Sequence, residues 1–264
     1  MTDTTAPEAA PRSMRTLTRC LLGLALLLAI AAAVLLGLGP LGWRAGWWHY
    51  RVGFTYLMPA AAYCGLAALG VAVLGLALGL RRIGPGTIAI AVIALLVGGA
   101  CAYVPWHYVS QRGTFPSIHD ITTDPDNPPE FRAVLPLRQA DGAANSTQYA
   151  GAKVADQQRR AYPDIVPALL DVPPAEAFDR ALAAARKLGW TIVAGEPAEG
   201  RIEASDRSRW FGFTDDVVIR VTPVEAGSRV DIRSESRVGG GDFRVNANRV
   251  RAFLAALHEA GAGR

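Results

Sequence analysis

DVVIRVTPVEAGSRVDIRSESRV, residues 216–238, decides how the C-terminal part of this 264-residue chain folds. Alternate residues from Val230 to Val238 are apolar or small, whereas every residue between them is charged. Such alternation is typical of a β-strand with one face toward the core and the other face polar. The stretch therefore predicts two antiparallel strands that are joined at the sequence VEAG, residues 224–227.

The register of this hairpin follows from its apolar face. If Val221 lies opposite Ile232, then Arg220 lies opposite Arg233 on the polar face. Like charges in that position destabilise a sheet, so a compensating group is expected. One hypothesis is an anion-binding face beside the glycines at 239–241, and its candidate residues are Arg220, Arg233, Arg237 and Arg249. The alternative is a salt-bridged network organised around Asp206, Asp215, Glu235 and Asp242.

The segments on either side predict an α+β domain over residues 163–264. IVPALLDV predicts a short strand, and PPAEAFDRALAAARKLG predicts a helix with Pro174 in its first turn and Gly189 at its end. WTIVAG and RIEAS predict another hairpin, and NANRVRAFLAALHEAG predicts a closing helix with an apolar stripe. This order favours a mainly antiparallel sheet with two packed helices.

Residues 107–162 are rich in Pro, Asp, Asn and Gln and predict an extended tether. They include SIHDITTDPDNPPEF, residues 117–131, in which His119, Asp120, Asp124 and Asp126 are possible metal ligands. Two of its polar residues precede prolines and are therefore restricted to extended backbone. Short polar side chains in such a segment accept backbone hydrogen bonds, so we favour turn capping and expect no metal and no cofactor.

Three stretches of the N-terminal part carry no charge over the width of a membrane, namely residues 20–43, 52–80 and 83–106. Because a spanning helix needs roughly 20 apolar residues, they predict a three-span membrane region over residues 17–106, with spans at about 17–39, 54–80 and 83–105. The first stretch is too long for a cleaved signal peptide and ends without an Ala-x-Ala site. The lipid bilayer is therefore the first expected partner.

Arginine placement predicts the orientation of these spans. Three Arg precede the first span and two lie between the second and third, whereas the first loop holds Arg44 and Arg51 among aromatic residues. The positive-inside rule then places the tail, residues 1–16, in the cytoplasm and the C-terminal domain outside. We expect a multi-pass protein of a bacterial inner membrane with a periplasmic domain.

Charge and cysteine content exclude several classes of function. Residues 107–264 carry 20 basic and 21 acidic residues without a basic stripe, so nucleic acid is not an expected partner. All three cysteines lie before residue 102, which excludes zinc–thiolate chemistry in the C-terminal domain. The spans have no ionisable residue at their centres, which argues against a transporter.

The adjacent carboxylates of Asp215 and Asp216 are the only candidates for catalytic residues in the sequence. Paired carboxylates can act as an acid and a base. Neighbouring residues on a strand point to opposite faces, however, so these two cannot form a dyad with each other. No motif of nucleophilic catalysis accompanies them.

The segments IHDITTD, DRSRWFGFTDDVVIRV and DIRSESRVGGGDFRVNANRVRAFL together resemble DUF1499, a family of unknown function, over residues 114–264. The resemblance implies a common fold and a set of special positions, but no activity. The positions that it marks are His119, Asp120, Thr122, Thr123, Asp215, Asp216, Arg233, Ser234, Ser236, Arg237, Asp242, Asn246 and Arg249.

We interpret the chain as a membrane-anchored binding or interaction module whose biochemical activity is unknown. Another envelope protein or an anionic ligand is the expected partner. An enzyme that acts on an anionic envelope substrate is the alternative, with Asp215 or Asp216 and the C-terminal arginines as its polar groups.

Overall fold

A computed structural model describes residues 12–79, 84–111, 113–241 and 243–262 of the protein. The chain divides into two compact units, Met1–Ser110 and Gln111–Arg264. The sequence-based fold class is confirmed, because long apolar helices precede a mainly antiparallel sheet with packed helices.

The first unit is helical. Its elements are α1 (Arg12–Arg44), α2 (Tyr50–Val52), a π-helical turn (Gly53–Leu57), α3 (Met58–Gly79) and α4 (Pro85–Ser110). In the described part of the chain, three helical segments are long and apolar enough to cross a membrane: Met14–Arg44, Tyr50–Gly79 and Pro85–Ser110. The three-span prediction is thus confirmed at the level of length and composition.

Small residues hold the helices of the first unit close together. A Cβ atom added at Gly65 would lie 2.5 Å from the Gly98 carbonyl oxygen, so α3 and α4 meet backbone to backbone. Gly75 gives similar room to Leu22 of α1. Small residues serve this purpose in membrane helices, where close packing replaces the hydrophobic driving force.

The second unit is built on a six-stranded sheet with the order β1-β6-β5-β4-β3, in which β2 also pairs with β6. The strands are β1 (Asp120–Thr122), β2 (Ala168–Leu170), β3 (Thr191–Glu196), β4 (Arg201–Arg207), β5 (Thr214–Val224) and β6 (Gly227–Ser236). All pairings are antiparallel. The helices are α5 (Leu135–Ala140), α6 (Ala152–Ala161), α7 (Pro174–Lys187) and α8 (Val245–Ala262).

Helices α7 and α8 cover the face of the sheet that we call the apolar face. Their buried residues, including Phe178 and Phe253, pack in one cluster with Val217, Ile219 and Ile232 of the central strands. Helix α7 begins at Pro174, and Gly189, with φ +79°, follows its end. These helices and their boundaries agree with the apolar stripes and end signals in the sequence.

The predicted register of the β5–β6 hairpin is wrong by two residues. The chain turns over Glu225 and Ala226 alone, and Val224 pairs with Gly227. Arg220 therefore lies opposite Asp231, not opposite another arginine. Gly227 is the first residue of β6. Its φ of +127° is one that glycine adopts readily, and a Cβ atom at this position would lie 2.2 Å from the Leu170 carbonyl oxygen.

Residues 107–162, expected to form an extended tether, contain strand β1 and helices α5 and α6. The segment adds β1 to the edge of β6, and Phe131 and Val134 pack on Val218 of β5. It thereby covers the second face of the sheet, which we call the polar face. The side chain of Gln158 bonds both backbone groups of Thr122, with distances of 3.0 Å and 2.6 Å, as a neighbouring strand would.

Candidate functional site

Three carboxylates lie side by side on the polar face. Asp120 of β1 pairs in register with Glu235 of β6, which pairs in turn with Asp216 of β5. All three are buried, and Glu235 and Asp216 have no exposed surface. Charges at this depth are costly unless they are paired and hydrogen-bonded, so the surroundings of this carboxylate row decide its role.

Arg138 of α5 bridges two members of the row. Its Nη1 donates to Asp216 Oδ2 at 2.7 Å, and its Nη2 donates to Glu235 Oε1 at 3.3 Å. The Nη2 group also donates to the Asn145 carbonyl oxygen at 2.9 Å. The short helix α5 is therefore held to the sheet by a buried guanidinium.

Two arginines of the β6 region complete the pairing. Arg233 contacts both oxygens of Asp120 at 2.9 Å and 2.8 Å, and its guanidinium lies over the rings of Phe131 and Tyr149. Arg237 contacts both oxygens of Asp216 at 2.9 Å and 2.7 Å. These two-point contacts fix the geometry of each pair as well as its charge.

Glu235 is the least satisfied member of the row. Its Oε2 atom is buried without a hydrogen-bond partner among the described residues. Burial raises the pKa of Glu235 to about 8, while Arg138 opposes the rise and Asp120 adds to it. A protonated Glu235 therefore fits this position at neutral pH, which relieves the repulsion among three adjacent carboxylates.

Glu203, on β4, fixes the backbone of the residues that immediately precede α5. Its carboxylate accepts hydrogen bonds of 2.9 to 3.1 Å from the backbone N–H groups of Arg132, Ala133 and Val134. Arg201 pairs with the same carboxylate. Sequence reasoning missed both Glu203 and Arg138. Glu203 lies between the apolar residues Ile202 and Ala204, which is a signal, whereas Arg138 lies between Leu137 and Gln139 and carries no such signal.

A second polar cluster lies on the apolar face, at the end of the sheet where β6 finishes. Arg249 of α8 donates to Asp215 at 2.7 Å and to Asp206 at 2.9 Å. Asn246 accepts from Ser234 at 2.6 Å and donates to Ser236 and to the His119 carbonyl oxygen. This cluster joins α8 to the sheet and to the residue before β1.

The four arginines proposed as an anion-binding face do not share one face. Arg220, Arg233 and Arg237 lie on the polar face, whereas Arg249 lies on the apolar face. Each donates to at least one carboxylate, and Arg220 contacts both Asp124 and Asp231. Asp215 and Asp216 likewise lie on opposite faces. Asp242 is outside the residues that the structure describes.

The segment around His119 makes turn-capping bonds. Asp124 N–H donates to Thr122 Oγ1 at 3.2 Å, and Asn127 N–H donates to Asp124 Oδ1 at 3.1 Å. Thr123 Oγ1 accepts from the Ile232 N–H at 2.9 Å, which fixes the segment on β6. Burial lowers the pKa of His119. Within the described ranges, no group of three His, Cys, Asp or Glu side chains is placed to hold a metal ion.

A cleft of about 280 Å³ opens beside the carboxylate row, between α5 and strands β3 to β5. Its lining residues are Leu137, Ala140, Asp141, Thr191, Val193, Ser205, Arg207, Thr214 and Arg237. Arg207 is exposed and donates through Nε to the Gly212 carbonyl oxygen at 3.1 Å. In the described part of the chain it forms no ion pair, so its charge is available to a ligand.

A family model described as a protein of unknown function, DUF1499, matches residues 120–257. The match begins at β1 and runs into α8, so it includes the carboxylate row and its three arginines. Neither a curated protein nor a solved structure matches the chain.

Replacing Arg233 by Met should destabilise the C-terminal unit strongly. The substitution leaves Asp120 buried without its partner, and breaking a buried pair in this way costs about 3–5 kcal/mol. Arg251→Met is the matched control, because Arg251 makes the same two-point contact with Asp164 at the surface. Exposed pairs contribute about 0–1 kcal/mol.

Pulse proteolysis of C-terminally tagged full-length protein in a urea series measures both variants. Equal losses in the two variants would contradict the role of burial.

The Glu235→Gln variant should lose the pH dependence of stability between about pH 5 and 8. The folded-state pKa of about 8 lies above the unfolded value of 4.5, so the folded state binds the extra proton. The contribution of Glu235 to stability is therefore fully present below pH 4.5, and it falls by up to about 1.4 kcal/mol per pH unit as pH rises toward 8.

Urea midpoints measured at pH 5, 6, 7 and 8 test this expectation. Glu259→Gln is the control, because Glu259 pairs with Lys187 at the surface and its pKa is lowered, so it should keep the wild-type slope. A wild-type protein whose stability does not fall above pH 5 would contradict the protonated state of Glu235.

Proposed function

Because the chain belongs to the DUF1499 family, for which no activity is described, we propose its function from its own geometry: a membrane-anchored module that binds a small anionic ligand outside the cell membrane. The three apolar helices make it a membrane protein. The binding role and the outward orientation are the proposed part.

The observation that carries the binding role is the cleft on the polar face. Its volume of about 280 Å³ lies just below the range of roughly 300–1,000 Å³ that is typical of small-molecule sites. Apolar walls from Leu137 and Val193 face hydroxyl groups from Thr191, Ser205 and Thr214. Ligand sites combine apolar walls with polar groups that fix the orientation of the ligand, and this cleft has both.

The ligand class follows from charge and hydrogen-bonding capacity. Arg207 offers a guanidinium to an anion, and the three hydroxyls can donate to or accept from a hydroxylated ligand. Arg237 is held by Asp216 and Asp141, so it shapes the wall and leaves Arg207 as the principal cation. A small phosphorylated or carboxylated polyol matches this lining.

An enzyme that acts on an anionic envelope substrate is the second candidate, and it has less support. Asp215 and Asp216 are both buried in ion pairs with arginines, and neither lines the cleft. Glu235 has a raised pKa, as a general acid would need, but it has no exposed surface. A binding module needs none of these groups to move.

The outward orientation rests on arginine placement. Five arginines lie in the tail and in the loop between the second and third spans, against two in the first loop. With three spans, the positive-inside rule favours an external, periplasmic domain in a bacterial inner membrane.

A C-terminal alkaline phosphatase fusion should be active in bacterial cells, and a C-terminal green fluorescent protein fusion should be dark. Phosphatase folds only where disulfides form, whereas the fluorescent protein exported in the unfolded state does not mature. Arg81→Glu with Arg82→Glu removes two of the five inside charges and is expected to raise fluorescence. Bright fluorescence without phosphatase activity in the wild type would reverse the orientation.

The full-length protein in nanodiscs should bind glycerol 3-phosphate in isothermal titration, with no heat from glycerol. Arg207→Gln should weaken binding about tenfold or more, because a charge-assisted hydrogen bond contributes about 1.5–3 kcal/mol. Arg186→Gln is the matched control, since Arg186 is exposed on α7 across the sheet. Equal affinity of both variants for glycerol 3-phosphate, or no binding at low salt, would refute the anion cleft.

A further inference from the structure

Five exposed residues at one end of the sheet combine aromatic, aliphatic and basic side chains. They are Arg209 and Trp210 of the β4–β5 loop, and Phe243, Arg244 and Val245 at the start of α8. We propose that this patch, which we call the loop-end patch, docks on an anionic bilayer surface. The proposal is independent of the cleft and of the side of the membrane on which the domain lies.

The strand register brings these residues to the same end of the domain. Arg207 pairs with Thr214, so the β4–β5 loop leaves the sheet where β5 begins. Asp215 pairs with Ser236, so β6 finishes at the same level, and the chain then leads into α8. Arg249 of α8 contacts both Asp206 and Asp215, which ties the first turns of that helix to this end.

The patch has the chemistry of a membrane interface. Trp210 is 44% exposed, Phe243 37% and Val245 45%. Tryptophan is enriched at the level of the lipid headgroups, and arginines beside it are attracted to anionic lipids. The carboxylates of Asp206 and Asp141 are paired with Arg249 and Arg237, so they do not neutralise Arg209.

The backbone holds part of the patch in an unusual conformation. Phe243 and Arg244 have φ angles of +51° and +70°, which residues with a Cβ rarely adopt. The Arg244 guanidinium lies 3.9 Å from the centroid of the Phe115 ring. Strained backbone persists where the surroundings enforce it and is concentrated at functional positions. The side chains of Phe243 and Arg244 are both exposed.

Chain length favours the bilayer over any other occupant. Ser117 Oγ donates to the Gly240 carbonyl oxygen at 2.9 Å, so the chain enters the domain beside the loop-end patch. Only residues 111–116 lie between Ser117 and the last residue of α4, Ser110. The seven Cα–Cα steps from Ser110 to Ser117 span at most about 25 Å, so the covalent link gives this end a high effective concentration at the bilayer that α4 would span.

Fluorescence quenching in nanodiscs tests the proposal with the full chain. Cys20, Cys64 and Cys101 are replaced by Ala, and one fluorescent label is attached at Asn248→Cys, beside the patch, or at Ala226→Cys, in the β5–β6 turn. Both positions are exposed, and the turn lies at the opposite end of β5. The discs contain phosphatidylcholine with a nitroxide lipid, with or without phosphatidylglycerol.

We expect stronger quenching at position 248 than at 226, and an increase with phosphatidylglycerol that high salt reverses. The decisive arm is the double variant Arg209→Gln, Trp210→Ser, because the covalent link alone brings position 248 near lipid. Loss of one arginine and one interfacial aromatic should lower the docked-to-undocked ratio about tenfold.

The matched control is Arg186→Gln with Leu169→Ser, an exposed arginine and an exposed apolar residue elsewhere on the domain. It should leave the quenching at 248 unchanged, and the urea midpoints of both double variants verify folding. Quenching that is insensitive to Arg209→Gln, Trp210→Ser in a folded protein, or equal in neutral and anionic discs, would overturn the proposal.

Discussion

The carboxylate of Asp216 is the interaction on which the C-terminal unit depends. It accepts from Arg138 of α5, from both Nε and Nη2 of Arg237, and from Ser205 of β4, yet it has no exposed surface. A charge so deeply buried is tolerable only when all of these donors are present. The pairing therefore links helix α5, the central strands and the end of β6 into one cooperative structure.

This constraint explains why the sheet has two covered faces. The apolar face is closed by α7 and α8, as an amphipathic sheet requires. The polar face is closed by a thin cover in which Phe131 and Val134 form a small apolar cluster with Val218, and Val193 packs against it. On that side the cover is held to the sheet mainly by arginine–carboxylate pairs and by the hydrogen bonds of Glu203. These contacts require a more exact geometry than apolar packing does.

Much of the fold could be predicted from the sequence, and the parts that could not share a physical cause. Alternation and helical periodicity identify β3 to β6, α7 and α8, because those elements bury apolar residues at regular intervals. The cover of the polar face could not be predicted from these apolar patterns. Arg138 meets Asp216 across 78 positions in the chain, and its burial is the opposite of what a charged residue usually indicates. The hairpin register was missed because Gly227, read as a turn residue, is the first residue of β6.

The side chain of Gln158 affects how neighbouring copies of the protein can interact in a membrane. Gln158 occupies the outer hydrogen-bonding groups of Thr122 in β1, so that edge position offers no free backbone pair to another molecule. Neighbouring copies that are anchored in a bilayer meet often, and an unpaired strand edge is a template for pairing with another chain. A single glutamine thus acts as a local stop against sheet extension, and it does so without lengthening the strand or adding charge to its edge.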